Sequence, residues 1–197
     1  MGGSGVINIQ RVDELRPGFV YFSHLLDYPD DEVMLPTFLS DFQRDYPETE
    51  NKVAFVKWIE KMQSKSLFNL QKEYSNLFEL NKRFTLYLSY YRYQDSRERG
   101  QLLAKLKMLY EMFGVSVDGD ELADYFPLML EFLSYGEWDQ DERQQDIGLV
   151  FQVIEDGTYN IIQNEVEYAD EDYLELVRLL RQEFKSCIVP QQEVARS

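Results

Sequence analysis

Between Asp124 and Gly136 the chain carries apolar side chains in every direction around a helical wheel: Tyr125, Phe126, Leu128, Met129, Leu130, Phe132 and Leu133, with Glu131 the only charge inside the segment. A helix that is apolar on all sides must be wrapped by other elements, so this one belongs at the centre of the fold. Pro127 is compatible with it if Asp124 is the N-cap, because the proline then falls in the first turn, where its missing N–H breaks no intrahelical bond. The longest apolar stretches, such as 126–130 and 147–154, fall far short of the roughly 20 residues that cross a bilayer, so direct membrane insertion is not expected.

The segments available to surround that centre read as helices. Apolar residues recur at helical spacing at Phe19, Phe22, Leu25 and Leu26, at Leu35, Phe38, Leu39 and Phe42, at Phe55, Trp58, Ile59 and Met62, and at Leu67, Leu70, Tyr74, Leu77 and Phe78. A further helix starts at Asp95, whose capping box with Glu98 precedes the stripe Leu102, Leu103, Leu106, Leu109, Tyr110 and Phe113, and Gly114 stops it. Asp139 with Glu142 can box the start of another, reaching Gly157 through Val150, Phe151 and Ile154. The last runs from about Tyr173 to Phe184, with Asp170 to Asp172 at its positive end and Arg181 and Lys185 near its negative end. Phe84 to Tyr91 breaks the pattern: Phe84, Leu86, Leu88 and Tyr90 alternate with Thr85, Tyr87, Ser89 and Tyr91, a period of two that propensity alone assigns to a strand. The expected architecture is an all-α compact bundle in one domain over 6–197, with a flexible joint at 114–120. The opening Met1-Gly2-Gly3-Ser4-Gly5 has the composition of an appended linker and is left out of the fold reasoning.

Residue chemistry removes most enzyme classes. The single histidine, His24, excludes a His-rich metal site and the paired Glu-x-x-His units of a di-metal bundle. Beside Leu25 and Leu26 it reads as a structural residue, and both Ser–His–Asp and Cys–His catalysis would need it. No Gly-rich phosphate loop is present, and Asp118-Gly119-Asp120 lacks the sixth-position glycine of a calcium loop. The lone Cys187 can form no internal disulfide and cannot alone hold an iron–sulfur cluster, which suits a reducing compartment. No secretory signal is visible, so the expected location is cytoplasmic. No catalytic residue, metal or cofactor is expected.

Charge points to the kind of partner. The chain carries −16, and the excess is uneven: 117–197 hold 20 acids against 5 bases, whereas 1–116 hold 16 against 15. A field of that sign repels phosphate backbones, so nucleic acid is an unsuitable partner and a basic peptide a suitable one. The same acids would equally serve as a solvated face.

Several segments, in order, resemble the nitrate reductase delta-subunit family, a branch of the redox-enzyme maturation chaperones that includes the trimethylamine-oxide reductase type. They are Leu25-Leu26-Asp27-Tyr28-Pro29, the Glu-Tyr-Ser-Asn-Leu-Phe run through Tyr74 and Phe78, Leu86-Tyr87-Leu88-Ser89-Tyr90-Tyr91 leading into Asp95-Ser96-Arg97-Glu98-Arg99-Gly100, and Glu121 to Leu133. Ala123 stands where relatives often carry proline. The resemblance implies an all-α chaperone fold whose apolar groove binds the N-terminal segment of the apo catalytic (alpha) subunit of nitrate reductase during molybdenum cofactor insertion. Such a chaperone needs no catalytic residue, since tighter binding of the immature client than of the mature one biases assembly. The resemblance also makes Phe84 to Tyr91 helical, and we adopt that expectation, because an isolated strand in a helical domain has no ladder for its backbone groups.

Candidate client contacts are Asp124 and Tyr125, with Tyr74, Phe78, Tyr90 and Tyr91 as groove aromatics and Glu131 as a charge partner. Tyr74 and Phe78 also lie on a core stripe, and Asp124 also fits a simple N-cap. Arg97 and Arg99 sit in the first turn of a helix, where positive charge is mildly unfavourable, which points to a tertiary or client contact. A general acidic adaptor for an amphipathic partner, and a carboxylate–metal hydrolase, are the competing readings, and the chain is expected to be a monomer or dimer.

Overall fold

The structure is a computed structural model that describes residues 6–81, 83–117, 119, 121–164 and 172–189. It is an all-α bundle. Helix α1 (Ile9–Leu26) is followed by α2 (Pro36–Asp45), α3 (Lys52–Gln63), α4 (Leu67–Tyr74), the single turn α5 (Tyr90–Tyr93), α6 (Arg97–Met112), α7 (Phe126–Tyr135), α8 (Gly148–Gln163) and α9 (Asp172–Ser186). Two short strands, β1 (Val6–Ile7) and β2 (Ile188–Val189), pair antiparallel and bring the two ends of the described chain together.

The all-apolar segment is the central helix α7, in which Phe126, Met129, Leu130, Phe132 and Leu133 are completely buried. Its main neighbour is α1, which presents Leu15, Phe19, Phe22, Leu25 and Leu26. The stripe Tyr173, Leu176, Val177, Leu180 and Phe184 on α9 is buried as its spacing requires, with Phe184 stacked on Phe19 and Tyr173 edge-on to Trp58. Phe38 and Phe42 bury the inner face of α2, whereas Leu35 is half exposed just before it.

Four local expectations are corrected. Phe84 to Tyr91 is not helical before Tyr90: it passes the entry to α7 as irregular chain that turns at Leu88 and Ser89, with a single antiparallel bridge between Tyr87 and Tyr125. Leu88 N donates to Asp124 O (2.9 Å) and Phe126 N to Leu86 O (2.8 Å), so the alternating segment does find a backbone partner, the non-helical stretch ahead of α7. The N-cap of α6 is Ser96, whose hydroxyl accepts from Arg99 N at 3.2 Å, and not Asp95. Asp124 does not cap α7, where Tyr125 holds the N-cap position without a side-chain bond and Pro127 falls in the first turn. Asp139 and Glu142 do not box α8, which begins at Gly148 after a 3₁₀ turn (Gln144–Ile147) and continues through Gly157 to Gln163. Asp139 is instead an ion-pair partner of Arg16, 2.9 Å away.

Gly114 ends α6 in the left-handed region at φ +79, where a side chain would be strained. Beyond it Val115 and Val117 pack against the core. Asp118 and Asp120 of the proposed joint, Met1 to Gly5, and Asp170 and Glu171 lie outside the described residues.

Candidate functional site

A groove of about 660 Å³ lies where the C-terminal end of α1, the end of α4, the 84–87 stretch and the entry to α7 meet. α4 passes into one π-helical turn (Ser75–Glu79), closed by Leu80 N donating to Ser75 O at 2.9 Å, and the widened turn places Phe78 and Glu79 on the groove. Tyr74, Phe78, Phe84, Leu86, Tyr87 and Tyr125 supply an aromatic and aliphatic lining. Tyr28, Tyr90 and Leu122 at the margin are each more than a third exposed. Among the described residues, four carboxylates face the space, from Asp27, Glu79, Asp95 and Glu121, against one guanidinium, Arg99.

The tyrosine hydroxyls are tied together. Tyr125 O–H donates to Asp27 Oδ1 (3.0 Å), the Tyr74 and Tyr125 hydroxyls lie 3.2 Å apart, and Leu26 O accepts from Tyr74 at 3.1 Å. Tyr87 O–H donates to Glu121 Oε2 at 2.8 Å, and the Tyr87 and Tyr125 rings are 5.2 Å apart. Burial, then the bond to and charge of Glu121, push the Tyr87 phenol up to about 12. Burial raises Tyr74 and Tyr125 as well, with Asp27 adding to both. The floor therefore presents neutral phenols at ordinary pH, while Asp27 and Glu121 remain acceptors on its edge. Such a surface suits a segment with apolar side chains flanked by cations.

Behind the groove lies a buried polar cluster. Asp124 is completely buried, and Arg99, only 9 % exposed, reaches it through Nη2 at 3.1 Å. Ser89 O–H donates to Asp124 Oδ2 at 2.5 Å and its oxygen accepts from Arg99 Nε at 3.2 Å, while Ser89 N also donates to Asp124 at 3.2 Å. Asp95 approaches Arg99 Nη1 at 3.4 Å from the exposed side. This cluster joins α6, the 84–89 stretch and the entry to α7, so one buried ion pair ties together both walls of the groove.

Of the residues singled out from the sequence, Tyr74, Phe78, Tyr90, Tyr125 and Arg99 converge on the groove. Asp124 lies behind it. Tyr91 supports the wall from outside the lining, its hydroxyl accepting from Thr85 N (2.7 Å) and donating to Thr85 O (3.0 Å). Glu131 lies on α7, where it accepts from Ser23 O–H at 3.0 Å, and Arg97 is exposed on the first turn of α6; neither lines the groove. The sequence reading missed Asp27, Tyr28, Tyr87 and Glu121 as groove residues. All four stood in resembling segments, but no spacing rule joins the end of α1 to residues sixty or more positions later. Among the described residues no group of three or more His, Cys, Asp or Glu is placed to hold a metal ion, and no helix is long and apolar enough to cross a membrane.

Fold and groove define an all-helical bundle with an aromatic, acid-rimmed cleft and a buried ion pair behind it. The sequence profile of the nitrate reductase delta subunit family matches residues 43–159, and the chain belongs to that family. It is similar to the probable nitrate reductase molybdenum cofactor assembly chaperone NarJ of Bacillus subtilis, 33% identical over 122 residues covering 60% of this chain and 65% of that protein. It is also similar to two chaperones of Escherichia coli K12. The nitrate reductase molybdenum cofactor assembly chaperone NarJ is 29% identical over 121 residues, 58% of this chain and 50% of the relative. The probable chaperone NarW is 38% identical over 68 residues, 34% of this chain and 29% of the relative. The matches thus span from under a third to just under two thirds of the relatives' lengths.

Proposed function

We propose that this protein is a cytoplasmic, non-catalytic chaperone of nitrate reductase assembly, which binds the N-terminal segment of the apo catalytic subunit and holds that subunit while the molybdenum cofactor is inserted. The observation that carries the proposal is the groove: an aromatic floor of hydrogen-bonded tyrosines, about 660 Å³ in volume, edged by Asp27, Glu79, Asp95 and Glu121. A client segment that is helical on docking sets apolar side chains at i, i+3, i+4 and i+7 against the tyrosines, and its basic residues meet the carboxylates. The names of the relatives support the client and the cofactor step.

The mechanism is differential binding. An exposed N-terminal segment in the immature enzyme engages the groove, and its burial in the finished enzyme withdraws it, so completion of the client is itself the release signal. No bond is made or broken by the chaperone.

The test is calorimetric titration with a peptide of the catalytic subunit's N-terminus, beside a scrambled peptide of equal charge. Selective binding weakened about tenfold or more by Glu121→Lys is the expected result, a loss of about 1.4 kcal/mol. Equal binding of both peptides would reduce the site to a general acidic adaptor, and undiminished binding to Glu121→Lys would remove the groove from the proposal.

A further inference from the structure

The groove wall formed by the 84–87 stretch is set from behind by α8, at a glycine that does not line the groove. A Cβ added at Gly157 would stand 2.5 Å from Leu88 Cβ and 3.0 Å from Leu88 Cα. Those atoms belong to the backbone and its first side-chain carbon, so rotating the leucine side chain cannot relieve the clash, and the backbone at Leu88 must move. Leu88 is buried, and its N–H is the donor to Asp124 O that holds the two walls in register. One residue before it stands Tyr87, bridged to Tyr125, and one residue after it Ser89, bonded to Asp124 and Arg99.

Resting on the groove reading above, we propose that Gly157 is a positioning residue for client binding. Its missing side chain lets the 86–89 wall sit against α8 at the depth where Tyr87 pairs with Tyr125 and Ser89 reaches the buried ion pair. A methyl group there pushes Leu88 away from α8, opening the Leu88–Asp124 hydrogen bond and shifting the Tyr87 ring relative to Tyr125. The groove then loses its shape although none of its lining residues has changed.

Gly18 supplies the control for overpacking as such. A Cβ there would stand 2.4 Å from the ring of buried Tyr46, an equally close approach but to side-chain atoms, in the α1–α2 region outside the groove lining. The experiment measures the peptide affinity of wild type, Gly157→Ala, Gly18→Ala and Glu121→Lys on the full chain, each with its unfolding curve, and refers every affinity to the folded fraction. Gly157→Ala is expected to raise Kd about tenfold, which corresponds to about 1.4 kcal/mol, while Gly18→Ala loses stability with its Kd within about twofold of wild type. If Glu121→Lys weakens binding and Gly157→Ala does not, the positioning role is overturned and the groove stands. If the wild type binds and neither variant changes Kd, the groove reading itself falls and takes the inference with it. Should Gly157→Ala fail to fold, Ser89→Ala loosens the same wall by removing its hydroxyl from Asp124 and Arg99, and an unchanged Kd in that variant would equally overturn the role.

Discussion

Asp124 carries two chemically different readings, and the structure separates them. As an N-cap it would be half exposed, worth about 1 kcal/mol and a natural place for a client contact. Completely buried against Arg99 and Ser89, it is instead one half of an internal ion pair. Removing one partner strands the other charge, so Asp124→Ala is expected to lower stability by about 3–5 kcal/mol, moderated by Asp95 on the exposed side of Arg99. The double variant Asp124→Leu with Arg99→Leu should recover a large part of that loss, since neither charge is then left unpaired. Urea unfolding of the two variants decides it: equal losses in both would mean that the attraction between the charges is not what matters. The sequence carried a hint, because two arginines in a first turn are unfavourable for the helix alone. It could not say which of them was turned inward, since Arg97 and Arg99 have the same local surroundings, and only the fold buries the second.

At the scale of elements, stripes and their ends were legible where the physics is local. The buried faces of α1, α3, α6 and α9 follow from spacing alone, and so does the central place of α7. Caps were read one residue off or assigned to the wrong role, because Asp95 and Ser96 both satisfy the rule and the choice between them depends on the turn that precedes them. That turn contains Gln94 at φ 47, the one non-glycine residue with positive φ among those described. Three variants test this junction. Ser96→Ala should cost about 1 kcal/mol through loss of the cap to Arg99 N. Asp95→Ala, losing only a long and exposed contact, should cost less than about 0.5 kcal/mol. In the other direction, Gln94→Gly should raise stability by about 1 kcal/mol, because glycine adopts that backbone conformation without strain. Thermal unfolding of the three variants checks the set, and a larger loss for Asp95→Ala than for Ser96→Ala would return the cap to Asp95. The 84–89 stretch was misread for a different reason. Its alternation was real, but its partner is a few residues ahead of α7 and not a strand, and no periodicity announces a ladder with a single bridge.

Buried phenols are spread through the core beside its aliphatic and phenylalanine packing, and they set its behaviour at high pH. Burial is the leading cause of a raised pKa at Tyr46, Tyr74, Tyr91, Tyr110, Tyr125 and Tyr173, which are distributed from α2 to α9. In the unfolded chain each tyrosine ionises near its ordinary value of 10.0. Between that value and the raised one, the folded chain retains protons that the unfolded chain has given up. The unfolded state then binds fewer protons, so the derivative of stability with pH is negative. The contribution is fully present below about pH 10 and declines by up to about 1.4 kcal/mol per pH unit for each such tyrosine above it. Lys61 and Lys65 act in the same direction. Hydrogen bonds that both donate to Asp172 raise them, at Lys65 against the opposing effect of burial, and their stabilisation also fades as pH rises. The expected result is a urea midpoint that falls steeply above about pH 10, with the absorption of the buried tyrosines, beyond that of exposed ones such as Tyr28, Tyr135 and Tyr159, developing in the same cooperative step as loss of helix. Because Tyr74 and Tyr125 join the α4 and α7 sides of the groove, the groove and the core should be lost together. A urea midpoint that stays level between about pH 10 and pH 12 would mean that these phenols ionise alike in the folded and unfolded chain, and the hydrogen-bonded floor assigned to the groove would have to be abandoned.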